Sequence, residues 1–377
     1  MIAKISLNHL KKSISSISGN SGIWFVSLIG RKNDKAIYVR SCSQVKSVEV
    51  KIPASCKEDF SISVPYNSFD MIKGSYIEIV DIDDNYIGFS SPTGHGRVFG
   101  RLRNISLQTG TMGNIPTVKM VSDIPSEILS KAFGLCKLMI TKTYEYSNVA
   151  SLSTNENNEL SIESNNLKSA IRVRFPCNVV KPYGSIFVYI DDFYGLSQLS
   201  GNIDITYDDE FVGLISEVFK YSCKLVSYTD NWIYIDNLVN SNKDRFIGSL
   251  VVDDVEGLND ALTSMVKFRQ SSRKTSYSKS SPLLASDFIT TKEKDRMKIS
   301  THTDTDQLTY VCKNVLSDRD INFRCIVDDM AKIVSKISKG VKSVKLDVYD
   351  RFIYMIGKSE DGTEVTFVTS TLSKNYV

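Results

Sequence analysis

Histidine is scarce in this chain: His9, His95 and His302 are the only three in 377 residues. None has a cysteine or carboxylate at ligand spacing, which argues against a histidine-built metal centre and against Ser-His-Asp or Cys-His catalysis. The seven cysteines, at 42, 56, 136, 177, 223, 312 and 325, include no C-x-x-C pair. Scattered single thiols read as reduced, mostly buried residues of a cytoplasmic protein, not as disulfides or zinc ligands. Charge of one sign is also missing. Forty-six basic and 43 acidic residues leave a formal net charge of +3, so a polybasic nucleic-acid coat is excluded. Any nucleic-acid surface must come from segregating charge between faces. No apolar run is long enough to span a bilayer. The opening Met1-Ile2-Ala3-Lys4-Ile5-Ser6 lacks the pattern of a signal peptide, so a soluble intracellular chain is expected. Alanine is sparse while Ile, Lys, Asn, Ser and Tyr are abundant, a composition of AT-rich genomes that points to a phage or a low-GC bacterium.

What is present is one theme stated three times: a strand, a short polar step, an amphipathic helix and further strands. Phe60–Val64 leads into Tyr66–Ile72, Ser185–Ile190 into Asp191–Leu196, and Ile321–Val327 into Asp328–Ile333. The starts lie one small domain apart. A chain that builds one module three times reads as a scaffold or a ring more than as an enzyme with one deep pocket.

Each module has two halves. The first is read as a strand Ala3–Ser6, a helix Leu7–Ser18 with Leu7, Leu10, Ile14 and Ile17 on one face, and strands to Ile52. Strand Phe60–Val64, a helix Tyr66–Lys73 and three more strands complete it. The second has helices Ser126–Lys137 and Asp192–Leu199, and the third has helices Val255–Phe268 and Asp329–Ser338. The polar stretch Gln270–Asp295 reads as a long mobile loop. The resulting fold class is α+β, in three domains over 1–116, 117–240 and 241–377, each with two helices on antiparallel sheets.

On the last helix Met330, Ile333, Val334, Ile337 and Val341 form an apolar stripe. Lys332, Lys336 and Lys339 lie opposite, with Lys342 following. Such a row can track phosphates without reading bases, or it can simply complement the helix dipole. Lys11, Lys12, Lys131, Lys137, Lys267, Arg269, Arg273 and Lys274 repeat the tendency in or just beyond the first helices, whereas Asp192–Leu199 has no lysine. The acidic pairs Asp83-Asp84, Asp191-Asp192, Asp208-Asp209, Asp253-Asp254 and Asp328-Asp329 fall at turns and helix starts, where Asp caps the backbone. Gly357-Lys358-Ser359 mimics the end of a P-loop, but Phe352 stands where its first glycine belongs. No catalytic residue, metal or cofactor is expected.

This module order, spacing and length resemble the sliding clamp of the bacterial replicative polymerase, the β-clamp family. The resemblance implies three domains per chain and two chains closed head to tail into a ring. It further implies a non-enzymatic processivity factor that encircles duplex DNA, tethers a polymerase and meets a clamp loader. It also implies a cleft for partner peptides, carried over here onto Leu167, Trp232, Ile233, Ile235, Val368 and Leu372. The tail Val368-Thr369-Ser370-Thr371-Leu372 departs from the family's Met-Pro-x-Arg-Leu type ending and continues to Val377, which implies a different recruiting motif. The rival readings are a clamp-like monomer that holds DNA by a basic face, as an accessory to phage replication or transcription, and a structural repeat protein.

Overall fold

A computed structural model of the chain describes all residues except 19–24, 44, 106–114, 143, 198, 200, 227–231, 276–284, 292–293, 303–305 and 373–377. Six α-helices lie within the described residues: α1 (Leu7–Ser18), α2 (Ser126–Cys136), α3 (Ile190–Ser197), α4 (Ile235–Asn240), α5 (Val255–Thr275) and α6 (Asp328–Ile337). None is long and apolar enough to cross a membrane. The chain divides into two compact units, Met1–Lys131 with Cys177–Ser227, and Ala132–Pro176 with Tyr228–Val377. The boundary falls inside α2.

The first unit is built on a sheet whose strands run in the order Asn178–Val179, Val118–Pro125, Asn202–Tyr207, Phe211–Ile215, Phe219–Lys224, Lys46–Cys56, Ala3–Ser6, Tyr76–Ile82, Tyr86–Thr93 and Gly96–Arg103. Val50 faces Phe219, so the amino-terminal strands and those beyond Cys177 form one hydrogen-bonded surface. Alternation of β-branched and polar residues explains these strands: in Ala36–Cys42, Ile37 and Val39 are buried while Tyr38 and Arg40 are part-exposed. Helix α1 buries Leu7, Leu10 and Ile14 at helical spacing and packs against α3.

In the second unit one sheet runs Val149–Thr154, Glu159–Asn165, Ser169–Pro176, Glu364–Ser370, Phe352–Ser359, Val341–Tyr349, Phe246–Val252 and Val315–Ser317. A second runs Gln307–Lys313, Lys294–His302, Ser286–Thr291 and Ile321–Cys325. Helices α5 and α6 pack against each other. Helix α5 buries Leu258, Leu262 and Met265, and α6 buries Met330, Ile333, Val334 and Ile337.

Two expectations change. The helix expected over Tyr66–Lys73 is only a 3-10 turn, Tyr66–Phe69. Pro65 precedes it and Asp70 ends it, its N–H bonding back to the Asn67 carbonyl. The loop expected over 270–295 begins as the last turn of α5, which continues to Thr275. It ends in strands Ser286–Thr291 and Lys294–His302, and its centre, 276–284, lies outside the described residues.

Candidate nucleic-acid and partner surfaces

Helix α6 gives the clearest cationic face. Its apolar side is buried, and Lys332 and Lys336 are exposed opposite, with Lys339 exposed just beyond its end. Lys332 pairs with Asp329 one turn earlier at 2.9 Å, a contact that water screens to little net value. Lys336 and Lys339 make no ion pair or hydrogen bond among the described residues, and the same holds for the exposed Lys267 on α5. Lys12, Lys131 and Lys137 are exposed as well.

Other expected cations are placed differently. Arg269 is buried and ion-paired with Asp328. It braces α5 against α6 and is withdrawn from any phosphate, so its assignment to nucleic-acid contact is corrected. Lys11 donates to the carbonyls of Asp70 and Ile72 at 3.0 and 2.8 Å, closing the 3-10 turn. Lys342 belongs to strand Val341–Tyr349 and pairs with Glu360 at 2.7 Å, both largely exposed. Arg273 and Lys274 lie in the last turn of α5, and their side chains are outside the described residues.

Three of the five acidic pairs serve the backbone. Asp83 Oδ1 accepts from the N–H groups of Asn85 and Tyr86. Asp208 Oδ1 accepts from those of Glu210 and Phe211, and Asp254 Oδ1 from that of Gly257 at the start of α5. Asp192 pairs with the half-buried Lys46 and accepts from Tyr221 Oη at 2.9 Å. Helix α3, which has no lysine, thus meets its cation on the neighbouring sheet.

The expected partner residues fall into two groups. Ile235 and Val368 are buried in one cluster with Ala170, Tyr349 and Phe352, against which Leu238, Val239 and Tyr354 pack. The rings of Tyr349 and Phe352 stack at 4.5 Å. Trp232 is also buried. For these residues an open contact surface is corrected to a core that holds α4 on the sheet. Leu167, Ile233 and Leu372 stay accessible. Leu167 is 55% exposed at the tip of the turn between Glu159–Asn165 and Ser169–Pro176, at φ +71°. That left-handed backbone disfavours a bulky side chain. Asn166 holds it there: its Oδ1 accepts the N–H groups of Lys168 and Ser169 at 3.2 and 2.9 Å. The Leu372 N–H donates to the Arg324 carbonyl at 2.8 Å, which ties the tail to the strand leading into α6.

Beside this cluster lies a charge network that sequence reading missed. Arg172, 3% exposed, pairs with Asp236 of α4 at 2.7 Å and with Glu163 at 3.4 Å. Burial pushes the Glu163 carboxyl up, against the attraction of Arg172, and Asp236 adds to the rise. The Ile235 N–H also reaches Glu163, so the start of α4 is pinned at two points. A signal existed. In Ala170-Ile171-Arg172-Val173, Arg172 stands in a nearly continuous apolar strand, where a cation requires a partner.

No protein-family model matches the chain, and no curated protein does so. Solved structures do. The DNA polymerase III beta subunit of Thermotoga maritima matches at TM-score 0.77 and 10% identity over 98% of this chain and 99% of that one. The DNA polymerase sliding clamp of Bacillus subtilis matches at 0.75 and 10% over 99% of both chains, and that of Caulobacter crescentus at 0.70 and 11% over 99% of both. From end to end, this chain has the fold of the bacterial DNA polymerase sliding clamps.

Proposed function

We propose that this protein is a DNA sliding clamp, a non-enzymatic processivity factor that encircles duplex DNA and tethers a replicative polymerase. The observation that carries the reading is the match of fold over nearly the whole chain to structures of DNA polymerase sliding clamps. The exposed cations of α6 and α5 support it. Loosely held lysines attract a duplex through counterion release without reading bases, so contacts exchange and the protein slides. Topology, not affinity, then retains it.

Ring closure needs a second chain and a pair of sheet edges. One edge is Gly96–Arg103, the last strand of its sheet, with Phe99 71% and Val98 44% exposed. The other is Gln307–Lys313, also a terminal strand, with Val311 46% exposed. Exposed apolar edge strands invite pairing with another chain. Arg97, Arg101 and Arg103 on the first edge suit the acidic Asp254 and Asp260, whose field reaches Tyr310 on the second. Each chain gives three domains, 1–116, 117–240 and 241–377, and two chains close head to tail into a homodimer.

Partner peptides of the polymerase, and a loader, engage the accessible Leu167, Ile233 and Leu372. The setting is the cytoplasm of a bacterium or of a phage-infected cell. Replacing Lys332, Lys336 and Lys339 together by alanine tests the DNA reading: association with duplex DNA falls and its salt dependence flattens. Unchanged association at every salt concentration contradicts it.

A further inference from the structure

The turn that carries Leu167 and the first turn of α6 share one carboxylate. Asp329 Oδ2 accepts from Ser169 Oγ at 3.2 Å and, at longer range, from Asn166 Nδ2 at 3.5 Å. Its Oδ1 accepts from Lys332 Nζ at 2.9 Å. Ser169 Oγ in turn meets Thr369 Oγ1 of the carboxy-terminal strand at 3.1 Å. One side chain therefore joins the lysine face of α6 to the turn that holds an exposed leucine in a left-handed conformation. Lys332 is the only cation paired with Asp329 among the described residues.

We infer that Asp329 is a positioning residue linking the nucleic-acid surface to the partner surface, an inference that rests on the function proposed above. When a phosphate draws Lys332 away, Asp329 loses its countercharge. The hydrogen bonds from Ser169 and Asn166 then remain as its compensation, and an uncompensated carboxylate accepts more strongly. The Asn166–Ser169 turn tightens, and Leu167 is presented in one conformation. A partner that recognises that conformation binds more firmly on DNA than off it. By linkage, the partner raises affinity for DNA by the same factor. The size is bounded by what an exposed ion pair can transmit, about two- to five-fold.

The test uses the full-length protein and a short linear duplex at low salt, with binding followed by anisotropy and the turn by amide exchange of Lys168 and Ser169. In the parent protein the duplex slows exchange of both amides about two- to five-fold. Lys332→Gln, which removes the cation without DNA, shows the slowed exchange already, and duplex adds nothing. In Asp329→Asn, which keeps every lysine, the duplex still binds but leaves the turn unchanged. A merely structural Asp329 would not respond to Lys332→Gln. Unchanged exchange in Lys332→Gln, or in the parent with duplex bound, overturns the inference. Absence of duplex binding overturns the DNA reading and the linkage with it. The Lys332→Gln arm, which needs no DNA, distinguishes that failure from failure of the joint.

Discussion

At Arg172 one guanidinium answers two carboxylates of unequal exposure, and the inequality sets what each is worth. Glu163 has 12% of its side chain exposed and Asp236 62%. Truncating Arg172 strands a buried carboxylate, a loss of roughly 3 kcal/mol, whereas Asp236→Asn removes a screened contact of less than about 1 kcal/mol. Urea unfolding of Arg172→Ala and Asp236→Asn measures both, and equal losses would contradict this ranking. The pH dependence has a definite sign. Burial raises the Glu163 carboxyl above its unfolded value, so the folded state holds that proton more tightly. Its contribution is fully present below the unfolded carboxylate pKa and is lost as pH rises through the raised folded value. Glu163→Gln, which cannot charge, therefore gains stability relative to the parent as pH rises from the unfolded carboxylate value through the raised folded one, in paired urea titrations. A constant difference across that interval would show that Arg172 cancels the burial cost.

Among the elements, α6 was legible because its apolar residues and its lysines occupy opposite faces. Met330, Ile333, Val334 and Ile337 are buried, and the lysines stay outside. The strands from Ser286 to Lys313 were not legible, because hydroxyls occupy inward positions where apolar residues give the period-two signal. Ser286, Thr290, Ser300 and Thr301 are buried; Ser286 bonds to Thr301, and Ser300 to Thr309 at 3.2 Å. Helix α4 escaped for another reason. Six residues are too few to show helical periodicity, and it is held by Arg172 and the core from outside its own sequence. The residues carried over from the resemblance show the same limit: the exposure of Leu167 comes from its turn, and the buried state of Ile235 and Val368 depends on strands far away in sequence. For α6 the expected outcome is specific. Lys336→Gln and Lys339→Gln each reduce the slope of log affinity against log salt by about 0.9, with stability within about 0.5 kcal/mol of the parent. An unchanged slope would remove these lysines from the DNA surface.

At the scale of the whole molecule, the sheets run through the expected domain limits. Strand Lys46–Cys56 pairs with Phe219–Lys224, and Ser169–Pro176 pairs with Glu364–Ser370. The middle third of the chain is therefore divided between the two compact units, a feature that spacing alone did not reveal. The assembly proposal is checked by sedimentation. The parent sediments as two chains, and Phe99→Asp, which puts a charge on an exposed edge strand, sediments as one folded chain. A single-chain mass for the parent at micromolar concentration would count against the ring. Encirclement is tested most directly by retention on DNA. Chains reassembled around a nicked circular duplex are moved to high salt, which removes electrostatic binding, and then the circle is cut. A sliding clamp remains with the intact circle at high salt and is lost once the DNA is linear. Equal loss from circular and linear DNA as salt rises would contradict the account.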